Sequence, residues 1–298
     1  SHGLMAAVLA TYAHAAREGR RAKPTLVVLL LKVPGLDAHI AQEFVAADGV
    51  GFLERNGGLE PCAGEQGAEV LGDHLSILTQ VCVTAKAHYE QVARLRPLPA
   101  LQRLLREGGE LLAEKACRLI GQMCKFSDFF YADIAAVGLL GELAAACRGP
   151  SAGVRRSACL ALGNAAFHSD RLYDALGPAV PALVALLSDA DERTRSNAVG
   201  TLNNLLRNSS RLAPALLAEG VAEALHRLAL GEREGVVRNL AFFALGNFCK
   251  EPFFLARLRQ LFTAEERRRV AAELETSTSE EFALYANRFL SKLEGGAG

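Results

Sequence analysis

The chain has 298 residues, of which 50% are hydrophobic and 6% aromatic, and its 33 Lys and Arg residues balance 33 Asp and Glu residues. A chain this long and apolar can bury a sizeable core, which excludes disorder as its main state. Zero formal net charge excludes an overall field that would hold a nucleic-acid backbone or an anionic membrane. The longest apolar run, residues 26–31, is far too short to cross a bilayer. We therefore expect neither nucleic acid nor a membrane as a partner.

The N-terminal quarter is the least regular part of the sequence. Residues 25–33 and 37–47 predict two helices, and residues 51–55 predict the start of a third. A run of helix-breaking residues then predicts a long loop, with Gly57, Gly58, Pro61, Gly64 and Gly67. Residues 1–70 are therefore expected to form an irregular repeat and loop.

The rest of the chain repeats itself. Four segments share a small residue, a Leu or Ile four residues later, then Gly or Asn followed by an amide; they begin at Ala116, Ala158, Ala198 and Ala241. Their Gly or Asn positions, 121, 163, 203 and 246, are separated by 42, 40 and 43 residues. That period is typical of armadillo and HEAT arrays. The sequence predicts an all-α, armadillo/HEAT-type right-handed superhelical solenoid of about five to six three-helix repeats, forming one domain over residues 1–298, with regular repeats in 71–255 and capping helices in 256–298.

Within a repeat the apolar pattern predicts a short first helix, a second helix and a long third helix. Residues 179–187 and 221–230 predict second helices, and the following third helices are predicted to begin at Arg195 and Val236. Small residues such as Gly163 would let third helices approach closely, while buried leucines fill the layer between them: Leu162, Leu202 and Leu245. Residues 276–281 predict a capping box for a final helix, whose Asn287, Arg288 and Lys292 would face water.

A search for chemistry gives no catalytic motif. The phosphate-binding loop, the dinucleotide fingerprint, the metalloprotease motif and the kinase marker motifs are absent from the sequence. The seven cysteines lie mostly in apolar runs, and Cys117 and Cys124 lack zinc-ligand partners, so we expect core thiols in a reducing, cytoplasmic compartment. The chain is therefore expected to be no enzyme and to use no cofactor, metal or small-molecule substrate.

Polar residues recur on the third helices instead. Amides occupy equivalent positions at Gln80, Gln122, Asn164, Asn204 and Asn247, and three residues further stand Lys125, Phe167, Arg207 and Lys250. A carboxamide can clamp an extended peptide backbone, and the basic residues favour an acidic segment with an occasional apolar anchor. This pattern predicts a partner-binding surface. Alternatively, the amides bond to neighbouring helices and the basic residues are only solvated.

Arginines recur eight residues before the Gly or Asn positions, at Arg155, Arg195 and Arg238. They would lie at the start of third helices, close to acids in the preceding turn: Asp191, Glu192, Glu232 and Glu234. We expect a structural ladder in which the guanidinium groups bond to carboxylates and carbonyls of adjacent repeats.

Residues 115–124, 126–131, 155–173 and 204–209 carry the motifs Lys-Ala-Cys-Arg-Leu-Ile-Gly-Gln-Met-Cys, Phe-Ser-Asp-Phe-Phe-Tyr, Ala-Leu-Gly-Asn followed by His-Ser-Asp-Arg-Leu-Tyr, and Asn-Leu-Leu-Arg-Asn-Ser. Together they resemble the C-terminal armadillo region of the Fused family of serine/threonine kinases, over roughly residues 75–290. A nuclear-import adaptor fits less well, since such adaptors place Trp beside each groove Asn and this chain has no Trp.

The resemblance implies that the kinase domain lies outside this chain and that relatives act in Hedgehog signalling, motile-cilium assembly or plant cytokinesis. It implies a non-catalytic scaffold that binds a kinesin-type motor or another cytoskeletal, signalling or ciliary protein, in the cytoplasm or in association with the cytoskeleton or cilium. An autoregulatory domain that docks on its own kinase domain is the alternative. The repeat region of the related Unc-51-like pseudokinases is a further one.

Overall fold

The computed structural model describes residues 3–17, 25–31, 37–60, 64–84, 86–232 and 235–295. Every regular element in these ranges is helical, so the predicted all-α class is confirmed. The chain divides into two compact units, unit 1 (Ser1–Ala146) and unit 2 (Cys147–Gly298). No helix in the ranges described is long and apolar enough to cross a membrane.

Unit 1 contains ten α-helices and one short 3-10 turn within the residues described. The turn is Lys86–His88. The helices are α1 (Leu4–Arg17), α2 (Thr25–Leu30), α3 (Asp37–Ala46), α4 (Gly49–Arg55), α5 (Gly64–Thr84), α6 (Tyr89–Arg94), α7 (Leu98–Glu107), α8 (Gly109–Met123), α9 (Tyr131–Ala136) and α10 (Leu139–Ala146). Helices α2, α5 and α8 pack in succession as third helices, α7 packs on α8 within its repeat, and α10 packs on α7.

The predicted N-terminal loop is partly wrong. Gly64 and Gly67 lie in α5, a helix of 21 residues, whereas Gly57 and Gly58 form a turn with positive φ angles after α4. Pro61 lies outside the residues described. The glycines are accommodated because α5 buries apolar side chains such as Val70, Leu75 and Leu78 against α2, α3 and α8. Tertiary packing thus overrides the weak local helix propensity.

Unit 2 contains a further ten α-helices and one 3-10 turn, counted over the ranges the structure describes. The turn is Gly177–Ala179. The helices are α11 (Ala152–Ala165), α12 (Tyr173–Leu176), α13 (Val180–Leu186), α14 (Glu192–Asn204), α15 (Ala213–Ala218), α16 (Val221–Gly231), α17 (Val236–Phe248), α18 (Pro252–Leu261), α19 (Ala264–Thr276) and α20 (Glu280–Glu294). The third helices α11, α14, α17 and α20 pack in succession.

Side-chain caps mark the start of three third helices of unit 2, namely α11, α14 and α20. Asp191 accepts hydrogen bonds from the backbone N–H of Thr194 at 2.9 Å and from its hydroxyl, so α14 begins at Glu192, three residues before the predicted Arg195. Ser279 caps α20 in the same way. The reciprocal capping box lies elsewhere, at Thr263 and Glu266 of α19, so its predicted place in residues 276–281 is wrong.

The core of unit 2 follows the repeated pattern. Leu162, Leu202 and Leu245 are fully buried, as predicted. Gly163 marks a close approach, because a Cβ there would lie 2.5 Å from Thr201 Oγ1. At the end of the array Asn287 and Arg288 are exposed. Lys292 departs from the prediction, because its Nζ donates to Gly246 O of α17 at 2.8 Å and partial burial lowers its pKa.

Candidate partner-binding surface

Three successive third helices of unit 2 carry an amide at their C-terminal ends. Asn164 is the penultimate residue of α11, Asn204 the last of α14 and Asn247 the penultimate of α17, and all three are half-buried. Since these helices pack side by side, the sequence repeat becomes a row across neighbouring helix ends.

Two of these amides bond to the preceding helix. Asn204 Nδ2 donates to Gly163 O at 3.0 Å, and Asn247 Nδ2 donates to Asn203 Oδ1 at 2.8 Å. These contacts agree with the alternative interpretation of the sequence, in which the amides bond to neighbouring helices. They also orient the carboxamides, because one N–H of each is held by the neighbouring helix while a carboxamide has a second donor and an acceptor.

Three residues beyond the amides lie exposed side chains. Phe167, Arg207 and Lys250 follow the ends of α11, α14 and α17. The guanidinium carbon of Arg207 lies 4.1 Å from the centroid of the Phe167 ring, a cation–π contact that holds two members of the predicted surface together. Cations near helix C-termini also interact favourably with the helix dipole. The six residues Asn164, Phe167, Asn204, Arg207, Asn247 and Lys250 are called the amide rim below.

Unit 1 carries the other three predicted surface residues. Gln80 lies near the end of α5 and Gln122 near the end of α8, and these two helices pack together. The buried Oε1 of Gln122 accepts no hydrogen bond from the part of the chain described. Lys125 is exposed, with its Nζ 5.2 Å from the centroid of the Phe126 ring.

Buried tyrosines join the repeats below the amides, a feature that the motif search missed. Tyr173 OH donates to Asn204 O at 2.6 Å and accepts from the backbone N–H of Asn208 at 3.2 Å. Tyr89 OH in unit 1 makes the same pair of bonds, to Gln122 O and from the backbone N–H of Phe126. Burial raises the pKa of both phenols, so they remain donors. The sequence did contain a signal for these tyrosines, because positions 89 and 173 are separated by two repeat periods.

A row of side-chain hydrogen bonds joins α11 and α14. Four side chains at helical spacing on and just after α14 donate to backbone carbonyls of α11 or its C-terminal end. The pairs are Asn197 with Arg156, Thr201 with Cys159, Asn204 with Gly163, and Asn208 with Ala166 and Phe167. These bonds fix the axial register of the two helices.

The repeated arginines bridge adjacent repeats of unit 2. Arg155 Nε donates to Asp189 at 2.6 Å, Arg195 Nε donates to Glu232 at 2.6 Å, and Arg238 pairs with Glu273. Each also donates to backbone carbonyls that precede its own helix, for example Arg195 to Asp189 O and Ala190 O.

The acids that pair with these arginines lie one repeat later in the chain, which corrects their predicted place. Asp191 of the preceding turn instead caps α14, and Glu234 lies outside the residues described. Arg155 holds the pKa of the Asp189 carboxyl below its usual value.

The cysteines in the described part of the chain are core residues. Cys82, Cys117, Cys124, Cys147, Cys159 and Cys249 are buried. Burial raises the pKa of the Cys117 and Cys124 thiols to about 12, so both stay protonated near neutral pH. Across the described ranges, no group of three or more His, Cys, Asp and Glu side chains is arranged to hold a metal ion.

A HEAT-like repeat model matches residues 152–205, the span from α11 to α14. Among solved structures, a designed armadillo repeat protein is 22% identical with a TM-score of 0.68, covering 78% of this chain and 95% of that one. Another designed armadillo repeat protein, solved in complex with the peptide (KR)4, is 20% identical with a TM-score of 0.69, at the same coverage. These likenesses concern the fold alone. The fold and the repeat define an armadillo/HEAT-type repeat protein.

Two curated relatives are Fused-type kinases. Serine/threonine-protein kinase TIO of Arabidopsis thaliana is 30% identical over 240 residues, which cover 76% of this chain and 18% of that protein. Serine/threonine-protein kinase 36 of Mus musculus is 30% identical over 192 residues, which cover 61% of this chain and 14% of that protein. The chain spans less than a fifth of the length of these relatives. The part that matches consists of helical repeats, so the predicted resemblance to the armadillo-repeat region of Fused-type kinases is confirmed.

Proposed function

We propose that this chain is a non-catalytic protein-interaction scaffold of a Fused-type kinase, and that the amide rim binds an extended, acidic segment of a partner protein. The observation that carries the proposal is the recurrence, on three successive packed helices, of a half-buried amide followed three residues later by Phe167, Arg207 or Lys250; the preceding helix orients two of these amides. A row of amides suits the backbone of a segment that crosses the helices.

Charge supports an acidic segment. A designed armadillo protein of the same fold was solved with the basic peptide (KR)4. The amide rim of this chain carries Arg207 and Lys250, both exposed, so a basic peptide would be repelled and an acidic one attracted. We therefore expect this chain to bind acidic peptides in preference to a basic peptide such as (KR)4.

The proposed partner class rests on the resemblance to Fused-type kinases. We propose a kinesin-type motor or another signalling or ciliary protein, met in the cytoplasm, at the cytoskeleton or at the cilium. In unit 1, Gln80, Gln122 and Lys125 are proposed to contact the same class of segment by the same chemistry, since amides and a basic residue recur there.

Fluorescence anisotropy of labelled peptides tests the proposal. A peptide that alternates leucine and glutamate, of the same length as (KR)4, should bind more tightly than (KR)4, and the double variant Arg207→Glu with Lys250→Glu should weaken its binding by about tenfold or more. The matched control is Arg193→Glu with Arg268→Glu, two exposed arginines of unit 2 outside the rim. Equal loss in both double variants, or a preference for (KR)4, would refute the acidic-segment proposal.

An autoregulatory role is the second candidate, favoured by the kinase identity of both relatives. In this case the docked segment belongs to the kinase domain of the same protein. Adding the chain to the isolated kinase domain should lower phosphoryl transfer, and the Arg207→Glu with Lys250→Glu variant should not. Unchanged kinase activity with the wild-type chain would exclude this role.

A further inference from the structure

Helix α14 contains a glycine that packing does not explain. A Cβ at Gly163 would meet Thr201 Oγ1 at 2.5 Å, so that glycine is needed for the close approach of α11 and α14. A Cβ at Gly200, in the middle of α14, would meet no atom within 4 Å. Glycine destabilises a helix interior relative to alanine. Gly200 therefore leaves open space at a position where any small side chain would fit and would favour the helix.

Apolar side chains lie on both sides of this open space. Leu160 of α11 is 43% exposed and lies within about one helical turn of Gly200 along the helix axis, because Thr201 Oγ1 bonds to Cys159 O. On the other side, the bond from Asn247 to Asn203 places Phe243 of α17 one turn earlier, level with Gly200. The Phe243 ring is half-buried and lies 5.1 Å from the ring of Tyr285, which extends the apolar surface.

The open space belongs to the same helix face as the amide rim. Gly200, Asn204 and Arg207 stand at i, i+4 and i+7, and the same spacing relates Leu160 to Asn164 and Phe167. With a rise of about 1.5 Å per residue, Gly200 lies about 6 Å before Asn204 along α14, whereas Arg207 follows the C-terminal end of the helix, beyond Asn204. A segment that crosses at Asn204 would pass between them.

We infer that Leu160, Gly200 and Phe243 form an apolar subsite, here called the Gly200 notch, that takes a leucine-like side chain of the bound segment. This inference rests on the proposed function. In an extended chain, successive side chains point to opposite sides. A side chain directed toward the Gly200 notch is therefore followed by one directed toward Arg207, where an acidic group is favoured. The segment recognised by unit 2 alternates apolar and acidic residues, and the Gly200 notch selects the apolar ones.

Filling the notch tests the inference. Gly200→Leu should weaken binding of the alternating leucine–glutamate peptide by about tenfold or more, the loss expected when one leucine side chain cannot be buried. Binding of a serine–glutamate peptide of equal length and charge should be unchanged. Gly200→Ala should raise the melting temperature, which shows that the site tolerates a side chain. The control is Gly141→Leu in α10. Gly141 is another helical glycine at which an added Cβ would meet no atom within 4 Å.

Each outcome decides between the subsite and the wider proposal. Unchanged binding of the leucine–glutamate peptide by Gly200→Leu would overturn the subsite, while the amide rim would stand if Arg207→Glu with Lys250→Glu still weakened binding. Equal loss for both peptides would also overturn the apolar selection. If the wild-type chain bound neither peptide, both proposals would fall. A wild-type dimer in sedimentation that Gly200→Leu dissociates would assign the surface to a second copy of the chain and overturn the inference.

Discussion

The interfaces α11–α14 and α17–α20 join third helices in the same way, yet their packing differs. The first interface consists of small and polar side chains. Gly163 packs against Thr201, and Asn side chains of α14 donate to backbone carbonyls of α11. The second is aromatic: the Phe242 ring makes an edge-on contact with Phe282 and a tilted contact with Phe289, with ring centroids 5.5 and 6.0 Å apart. The guanidinium carbon of Arg238 lies 4.6 Å from the Phe282 centroid.

The repeated motif therefore determines the helix but not how the helix packs on its neighbour. Helices α11 and α17 both contain an Ala, a Leu four residues later, and a Gly-Asn pair. A Cβ at Gly163 would meet Thr201 Oγ1 at 2.5 Å, but one at Gly246 would find its nearest neighbour, Phe289 Cα, at 4.0 Å. The neighbouring helix therefore decides whether the glycine is required.

The largest effect of a substitution on stability is expected at the aromatic interface between α17 and α20. Phe242→Ala should lower the free energy of unfolding by about 3–5 kcal/mol, because the fully buried ring leaves a cavity between α17 and α20. Urea denaturation measures this loss. The control is Phe253→Ala, which removes a ring that is 76% exposed and should cost far less. Similar losses in the two variants would contradict the packing described.

A smaller and opposite pair of effects is expected at the two glycines. Gly163→Ala should destabilise by about 1–3 kcal/mol, because its Cβ would overlap Thr201 Oγ1. Gly246→Ala should be neutral or stabilising, because alanine is the better helix former and the space is sufficient. Adding Thr201→Ala to Gly163→Ala should recover part of the loss, and a purely additive double variant in thermal melts would argue against the close contact.

The smallest effect is expected in the arginine ladder, and it should depend on pH. Asp189→Asn should lower stability by about 1–2 kcal/mol at neutral pH, because the 2.6 Å bond from Arg155 loses its charged acceptor. Arg155 lowers the folded-state pKa of Asp189, so the contribution of the pair is full above the unfolded-state value of about 3.9 and is lost as the pH falls through the folded-state pKa.

The difference in urea midpoint between the wild type and Asp189→Asn should therefore shrink below about pH 4. Asp174→Asn is the matched control, since this carboxylate pairs with Arg211 but is 79% exposed. A difference for Asp189→Asn that stays constant at every pH would exclude the charge as its cause.

The fold was predictable where local signals and the repeat agree. Helix α17 begins at Val236, as predicted, because Gly235 breaks the chain before an apolar periodic run. Helix α14 was predicted three residues late, because the cap at Asp191 was read as part of a polar turn. The start of α5 was missed because Gly64 and Gly67 have weak helix propensity, and only packing against other helices stabilises them there.

The candidate site was predictable only in outline. The period placed Asn164, Asn204 and Asn247 at equivalent helix ends, and an exposed residue follows each of them. It gave no sign that Asn204 bonds to Gly163 O, because that contact depends on the axial register of two helices. Gly163 and Gly246 occupy the same position of the repeat, and only the neighbouring atoms show that the first is tightly packed and the second is not.

The most direct measurement concerns the side-chain amides themselves. In 15N-labelled protein, the side-chain NH2 resonances of Asn164, Asn204 and Asn247 can be assigned by replacing each residue with alanine. On addition of the alternating leucine–glutamate peptide, these three resonances should shift in a saturable manner, while that of exposed Asn287 should not. Shifts confined to residues outside the amide rim, or no shift at any peptide concentration, would contradict the account.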